Sequence, residues 1–90
     1  MDNELKKLRG EIDAVDAQII AALAERTALV EEVGRYKSAH NIEALDADRR
    51  DALLGSWIER GVALGLSKEF MTALNEVVHD YSVDVEKRVR

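Results

Sequence analysis

Apolar side chains recur along the first third of the chain at steps of three and four: Leu5, Leu8, Ile12, Val15, Ile19, Leu23, then Val30 and Val33. That step is the period of one face of an α-helix. Two positions that complete the series carry charge instead, Arg26 between Leu23 and Val30, and Lys37 after Val33. At about 100° per residue, the eleven steps from Arg26 to Lys37 make three turns and about 20°. Both cations therefore point the way the apolar residues point. Asp2 or Asn3 caps the start of this helix, and Gly34 weakens it by about 1 kcal/mol relative to alanine without ending it.

From His40 to Leu45 no period is present, which predicts a loop. Asp46 suits the N-cap of a second helix, with Asp48 in its first turn. That helix carries Leu53, Leu54, Trp57, Ile58 and Val62 and ends in GVALG, where Gly61 and Gly65 punctuate. Ser67 caps a third helix with Glu69 in the first turn. Its apolar stripe reads Phe70, Leu74, Val77, Val78, Tyr81 and Val85.

The pattern predicts an all-α chain of three helices, the first very long, in one domain over residues 1–90. Some 36 residues of helix make a rod of about 54 Å. A compact domain of this length has a radius of gyration near 12 Å, by the usual scaling of about 2.2 Å times N to the power 0.38. The rod is too long for two shorter helices to cover, so its leftover stripe must meet another chain. The expectation is an intertwined homodimer with the long helices side by side; a coiled-coil-like arm is the plainer alternative.

Composition agrees with helix: no proline, five glycines, and abundant Ala, Leu, Glu, Lys and Arg. There is no cysteine, hence no disulfide framework and no thiolate metal site, which fits a reducing cytoplasm. No signal-peptide pattern is present, and no apolar run approaches the roughly 18 residues of a spanning helix. A soluble cytoplasmic protein is expected. The net charge of −5 argues against a general nucleic-acid binder, which relies on basic excess. A small anion needs only local cations.

Local cations are what the stripe supplies. Besides Arg26 and Lys37, Arg9 adjoins Leu8 and Ile12, and Arg49 lies one turn before Leu53. Burying an unpaired cation costs several kcal/mol even after relaxation. Three solutions exist: an acid on another helix, a side chain that reaches the rim, or an anionic ligand. Three arginines and a lysine suit a small dianion, because a guanidinium matches a carboxylate with two parallel hydrogen bonds. On the third helix Ser82 and Glu86 are neighbours at i and i+4; they add polar groups to such a pocket, or form an ordinary solvated face. His40 and His79 read as isolated, and there is no glycine-rich phosphate loop.

At this point the chain resembles a family. LRGEID, followed by AERTALVEEVGRYK, is similar to the first helix of the all-helical chorismate mutases. The likeness runs on through DADR, GVALGLS and SVDVE, from about residue 5 to residue 86. The ordered set R, R, K, D-x-x-R and S-x-x-x-E carries it. The resemblance implies an intertwined dimer of three-helix chains and a unimolecular Claisen rearrangement of chorismate to prephenate. It implies no metal and no cofactor. It also implies roles. Arg26, with Arg9 from the partner chain, binds the two carboxylates. Lys37 meets a carboxylate and the ether oxygen. Asp46 lies by the ring hydroxyl, Arg49 organises the carboxylate end, Ser82 contacts a carboxylate, and Glu86 stands against the ether oxygen. An ionised Glu86 repels the developing oxyanion and a protonated one donates to it, so activity is expected to rise as pH falls and Glu86→Gln to remove that dependence.

Arg50 departs from the pattern. An acidic residue typical of the family there accepts from the ring hydroxyl, and arginine cannot accept. Arg50 stays a candidate substrate-site residue, and two sister activities stay open: 4-amino-4-deoxychorismate mutase and isochorismate pyruvate-lyase. So does a helical dimer that needs a shikimate-pathway enzyme as activating partner, or that is not a catalyst. The terminal KRVR reads as a solvated end that favours the helix C-terminus.

Overall fold

The computed structural model describes residues 2–90. They form three helices, α1 (Asn3–Ala39), α2 (Ala47–Ala63) and α3 (Lys68–Arg88), with no strand among the described residues. Each helix starts on a side chain chosen for the task. Asp2, Asp46 and Ser67 accept the amides of Leu5, Arg49 and Phe70 at 2.9, 3.0 and 3.0 Å. The first two helices also end alike. After α1, Asn41 takes φ 57°; the Ile42 amide then reaches the Lys37 carbonyl at 2.8 Å and the Asn41 amide reaches that of Ser38 at 3.4 Å. After α2, Gly65 takes φ 90°, with the Leu66 amide on Gly61 at 2.9 Å and the Gly65 amide on Val62 at 3.0 Å. A left-handed residue with this bond pair is the Schellman stop. Gly61 itself lies inside α2, so Gly65 alone turns the chain.

α3 is the central element, packed against both α1 and α2, whose backbones do not meet each other. Two glycines set these approaches. A Cβ on Gly34 would stand 2.9 Å from the Glu86 Cα, so α1 and α3 touch backbone to backbone there. Gly61 of α2 receives the Met71 side chain of α3. The buried face of α3 is Met71, Asn75, Val78, Ser82, Val85 and Glu86. The expected stripe holds at two of its six positions: Val78 and Val85 are buried, whereas Phe70, Leu74, Val77 and Tyr81 are exposed on a second face. Three polar residues interrupt the buried face and conceal its period.

This core is small, with Ala44, Met71, Val78 and Val85 its buried apolar members among the described residues. It touches only the C-terminal part of α1. Every described residue from Asp2 to Glu25 is exposed, including Ile12 at 58% and Ile19 at 52%. The radius of gyration is 16.7 Å and the long dimension 60 Å, well above the 12 Å or so of a compact chain of this size. No helix of the described residues is long and apolar enough to cross a membrane.

Candidate active site

The C-terminal part of α1, the start of α2 and the C-terminal half of α3 enclose a cleft of about 140 Å³. Its walls bring together Arg26 and Lys37 from α1, Asp46 and Arg49 from the α2 N-terminus, and Ser82 and Glu86 from α3. Six of the eight residues singled out from sequence thus meet around one space. Val30, Val33, Ala44 and Leu53 supply its apolar lining.

The cations are treated differently. Lys37 Nζ lies 2.8 Å from Glu86 Oε1, and the side chains keep only 18% and 10% of their exposure. The contact is an ion pair off the hydrogen-bonding line, which leaves Oε1 without an aligned donor. The ammonium donates instead to the Ala44 carbonyl at 2.9 Å, tying the loop after α1 to the cleft. One inward cation is therefore met by an internal acid. Arg26 is not. It donates to Ser82 Oγ, whose own proton goes to the Val78 carbonyl at 2.8 Å. Burial holds its guanidinium below its ordinary pKa, and the neighbouring charge of Arg49 adds to the effect. Among the described residues neither Arg26 nor Arg49 has a carboxylate within 4.0 Å. Asp46, which also lines the cleft, spends Oδ1 on the Arg49 amide. The net arrangement is a small, partly apolar space with two uncompensated guanidinium groups and an ammonium shared with one acid. With the Asp46 carboxylate on the same wall, three cations face two acids, a net positive charge that suits an anionic ligand.

Two expected residues lie elsewhere. Arg50 does not line the cleft; it points towards Asp80 of α3, 3.9 Å away, in an exposed pair. Arg9 is on the exposed part of α1. Seventeen residues of helix separate it from Arg26, about 26 Å along the axis, so a single chain does not bring it to the cleft.

Two residues escaped the sequence reading. His79 lines the cleft, and its Nε2 is closed off from solvent without a hydrogen-bond partner. Burial, then the Arg50 charge, lowers its pKa from the ordinary 6.5. The signal was its place at i−3 from Ser82 and i−7 from Glu86, on the same face. Arg90 donates to the Ile42 carbonyl at 2.7 Å and so clamps the loop that leads to Asp46, a contact between distant segments that no local pattern announces.

The geometry, a three-helix chain with inward arginines and lysine around one cleft, defines a class that comparison with known proteins names. The model of the chorismate mutase type II family matches residues 8–87; the chain belongs to that family. It is 39% identical over 82 residues to a bifunctional chorismate mutase/prephenate dehydratase of Enterobacter agglomerans, covering 91% of this chain and 21% of that protein. The bifunctional chorismate mutase/prephenate dehydratase of Escherichia coli K12 is 37% identical over the same length, with the same shares. The chain thus spans about a fifth of the length of these relatives. A 4-amino-4-deoxychorismate mutase of Streptomyces venezuelae is 29% identical over 76 residues, 84% of this chain and 74% of that protein.

Proposed function

We propose that this protein is a chorismate mutase, converting chorismate to prephenate in aromatic amino acid biosynthesis, in the cytoplasm. The observation that carries the reading is the pair Arg26 and Arg49, two guanidinium groups facing one cleft without a carboxylate partner. The substrate supplies the missing charge as two carboxylates. Family membership agrees with the chemistry that the cleft favours.

The rearrangement is unimolecular. The ether C–O bond breaks and a C–C bond forms between the enolpyruvyl methylene carbon and the ring, with no atom gained or lost. Two contributions lower its barrier. Arg26 and Arg49 grip the carboxylates and hold the flexible arm over the ring, which is orientation catalysis. Lys37 turns from Glu86 to the ether oxygen, where negative charge grows as the bond stretches, in a cleft that leaves its side chain only 18% exposed. Glu86, when protonated, donates to the same oxygen; Ser82 supports the Arg26 guanidinium. Asp46 offers its carboxylate towards the ring substituent.

The working unit on this reading is a homodimer, in which the exposed stripe of α1 is covered by a second copy that also brings its Arg9 to the cleft. The Streptomyces relative supports a second reading, an amino group in place of the ring hydroxyl; the positive charge of Arg50 beside the cleft weighs against it.

Product analysis by NMR separates them. The purified protein, given chorismate, isochorismate and 4-amino-4-deoxychorismate separately, is expected to form prephenate from chorismate. Arg26→Ala and Lys37→Ala are expected to lower kcat/KM by 100-fold or more, on the order of the loss of one transition-state charge contact. Turnover of the amino substrate alone establishes the second reading. Turnover of isochorismate alone establishes a pyruvate-lyase. No turnover of any of the three leaves a partner-activated or non-catalytic module.

A further inference from the structure

The cleft contains one neutral polar side chain that the proposed chemistry leaves unused. His79 stands on its α3 wall, three residues before Ser82. Its Nε2 is buried and unpartnered, and a buried polar nitrogen without a hydrogen bond carries a desolvation penalty. The described chain supplies no partner for this nitrogen, and the cleft that the imidazole lines is the space from which one can approach it as the ring turns. The cations around the imidazole narrow what that partner is. Arg50 of α2 and Arg26 of α1 face it, opposed by Asp80 and Glu86 of its own helix, with burial and Arg50 the strongest influences. Anionic groups have better partners in the arginines. A neutral hydroxyl, which both donates and accepts, matches a neutral imidazole, which does the same.

We propose that His79 is a specificity-determining residue of the cleft, hydrogen-bonding the neutral hydroxyl on the substrate ring and setting the preference for hydroxyl over other substituents at that carbon. The inference rests on the mutase reading above. Arg50 reinforces the preference indirectly. Held towards Asp80, it stays outside the cleft but keeps a positive charge beside His79, which disfavours a ring ammonium at the same place.

The test is a substrate-by-variant comparison. Steady-state kcat/KM is measured for chorismate, 4-deoxychorismate and 4-amino-4-deoxychorismate with wild type, His79→Leu and His79→Gln. Wild type is expected to favour chorismate over its deoxy analogue by about 10-fold, the scale of one hydrogen bond to a buried polar group. In His79→Leu that ratio is expected to fall towards one, the loss falling mainly on chorismate. His79→Gln, which keeps a neutral donor and acceptor, is expected to retain most of the ratio. A ratio unchanged in both variants, or equal losses on both substrates, overturns the proposal while leaving the mutase reading in place. Should the leucine variant fail to fold, as judged by circular dichroism, the glutamine variant and the wild-type ratio decide alone: a wild-type ratio near one overturns the proposal. Wild type without turnover of chorismate overturns both readings together.

Discussion

Lys37 and Glu86 show how the fold handles an inward cation. A half-closed ammonium needs an anion, and Glu86 provides one at 2.8 Å. A buried pair of this kind contributes little net stability, because desolvation offsets attraction; on the proposed mutase reading its value lies in aiming Lys37 at the cleft. The inward direction of Lys37 and Arg26 was legible in the sequence, since both lie on one helix and only the 100° step is needed. Their partners were not, because Ser82 and Glu86 meet them only through the rotation of α3 against α1. The same holds for His79, an isolated histidine in sequence and a wall of the cleft in the fold. It carries a pH prediction. Burial and Arg50 lower its folded pKa below the ordinary 6.5. As pH falls through that ordinary value, the unfolded chain takes up the proton first, so folding stability declines from about 6.5 down to the folded titration and is flat below it. Urea midpoints taken on both sides of that window should fall on acidification in wild type and fall less in His79→Leu. An equal fall in the two proteins would show that His79 does not titrate differently in the fold.

At the scale of the helices, boundaries were readable because the caps are chemical: Asp46 and Ser67 sit where a side-chain oxygen must accept an amide. The face that α3 buries was harder to read, since Asn75, Ser82 and Glu86 occupy it while apolar Phe70 and Tyr81 lie on another. Helix approach was not readable at all. Gly34 registered only as a weak point in α1, yet it is where α1 meets α3. An alanine Cβ there would lie 2.7 Å from Val89 Cγ2, 2.9 Å from Glu86 Cα and 3.0 Å from the Glu86 carbonyl oxygen. Two of these three atoms are backbone, so the helices must part. Gly34→Ala gains about 1 kcal/mol of helix propensity against about 1–3 kcal/mol of overpacking. Net destabilisation is expected, with kcat/KM reduced because Glu86 is displaced from Lys37. Gly61→Ala meets only the flexible Met71 side chain and should cost less in stability and nothing in kcat/KM. Equal activity of the two variants would mean that the α1–α3 distance does not set the site.

For the whole molecule, the governing fact is a 37-residue helix in a chain whose core reaches only its last third. The length argument from sequence already required a covering surface, and the exposed Leu5, Leu8, Ile12, Val15, Ile19 and Leu23 are the surface to be covered. What one sequence does not contain is the symmetry operator, and so the fate of Arg9. If a two-fold dimer covers α1, each cleft takes Lys37 from one protomer and Arg9 from the other. That arrangement makes a quantitative prediction by mixing defects. Arg9→Ala and Lys37→Ala are each expected to be nearly inactive alone. Refolded together at equal concentration, they form mixed dimers in about half of all pairings, and each mixed dimer has one cleft with both native residues and one with neither. About a quarter of wild-type activity should therefore return, with sedimentation confirming dimers throughout. If Arg9 acts within its own chain, every cleft in the mixture lacks one residue and no activity returns. If the protein is a monomer, mixing changes nothing, and the apolar stripe of α1 must meet a different partner.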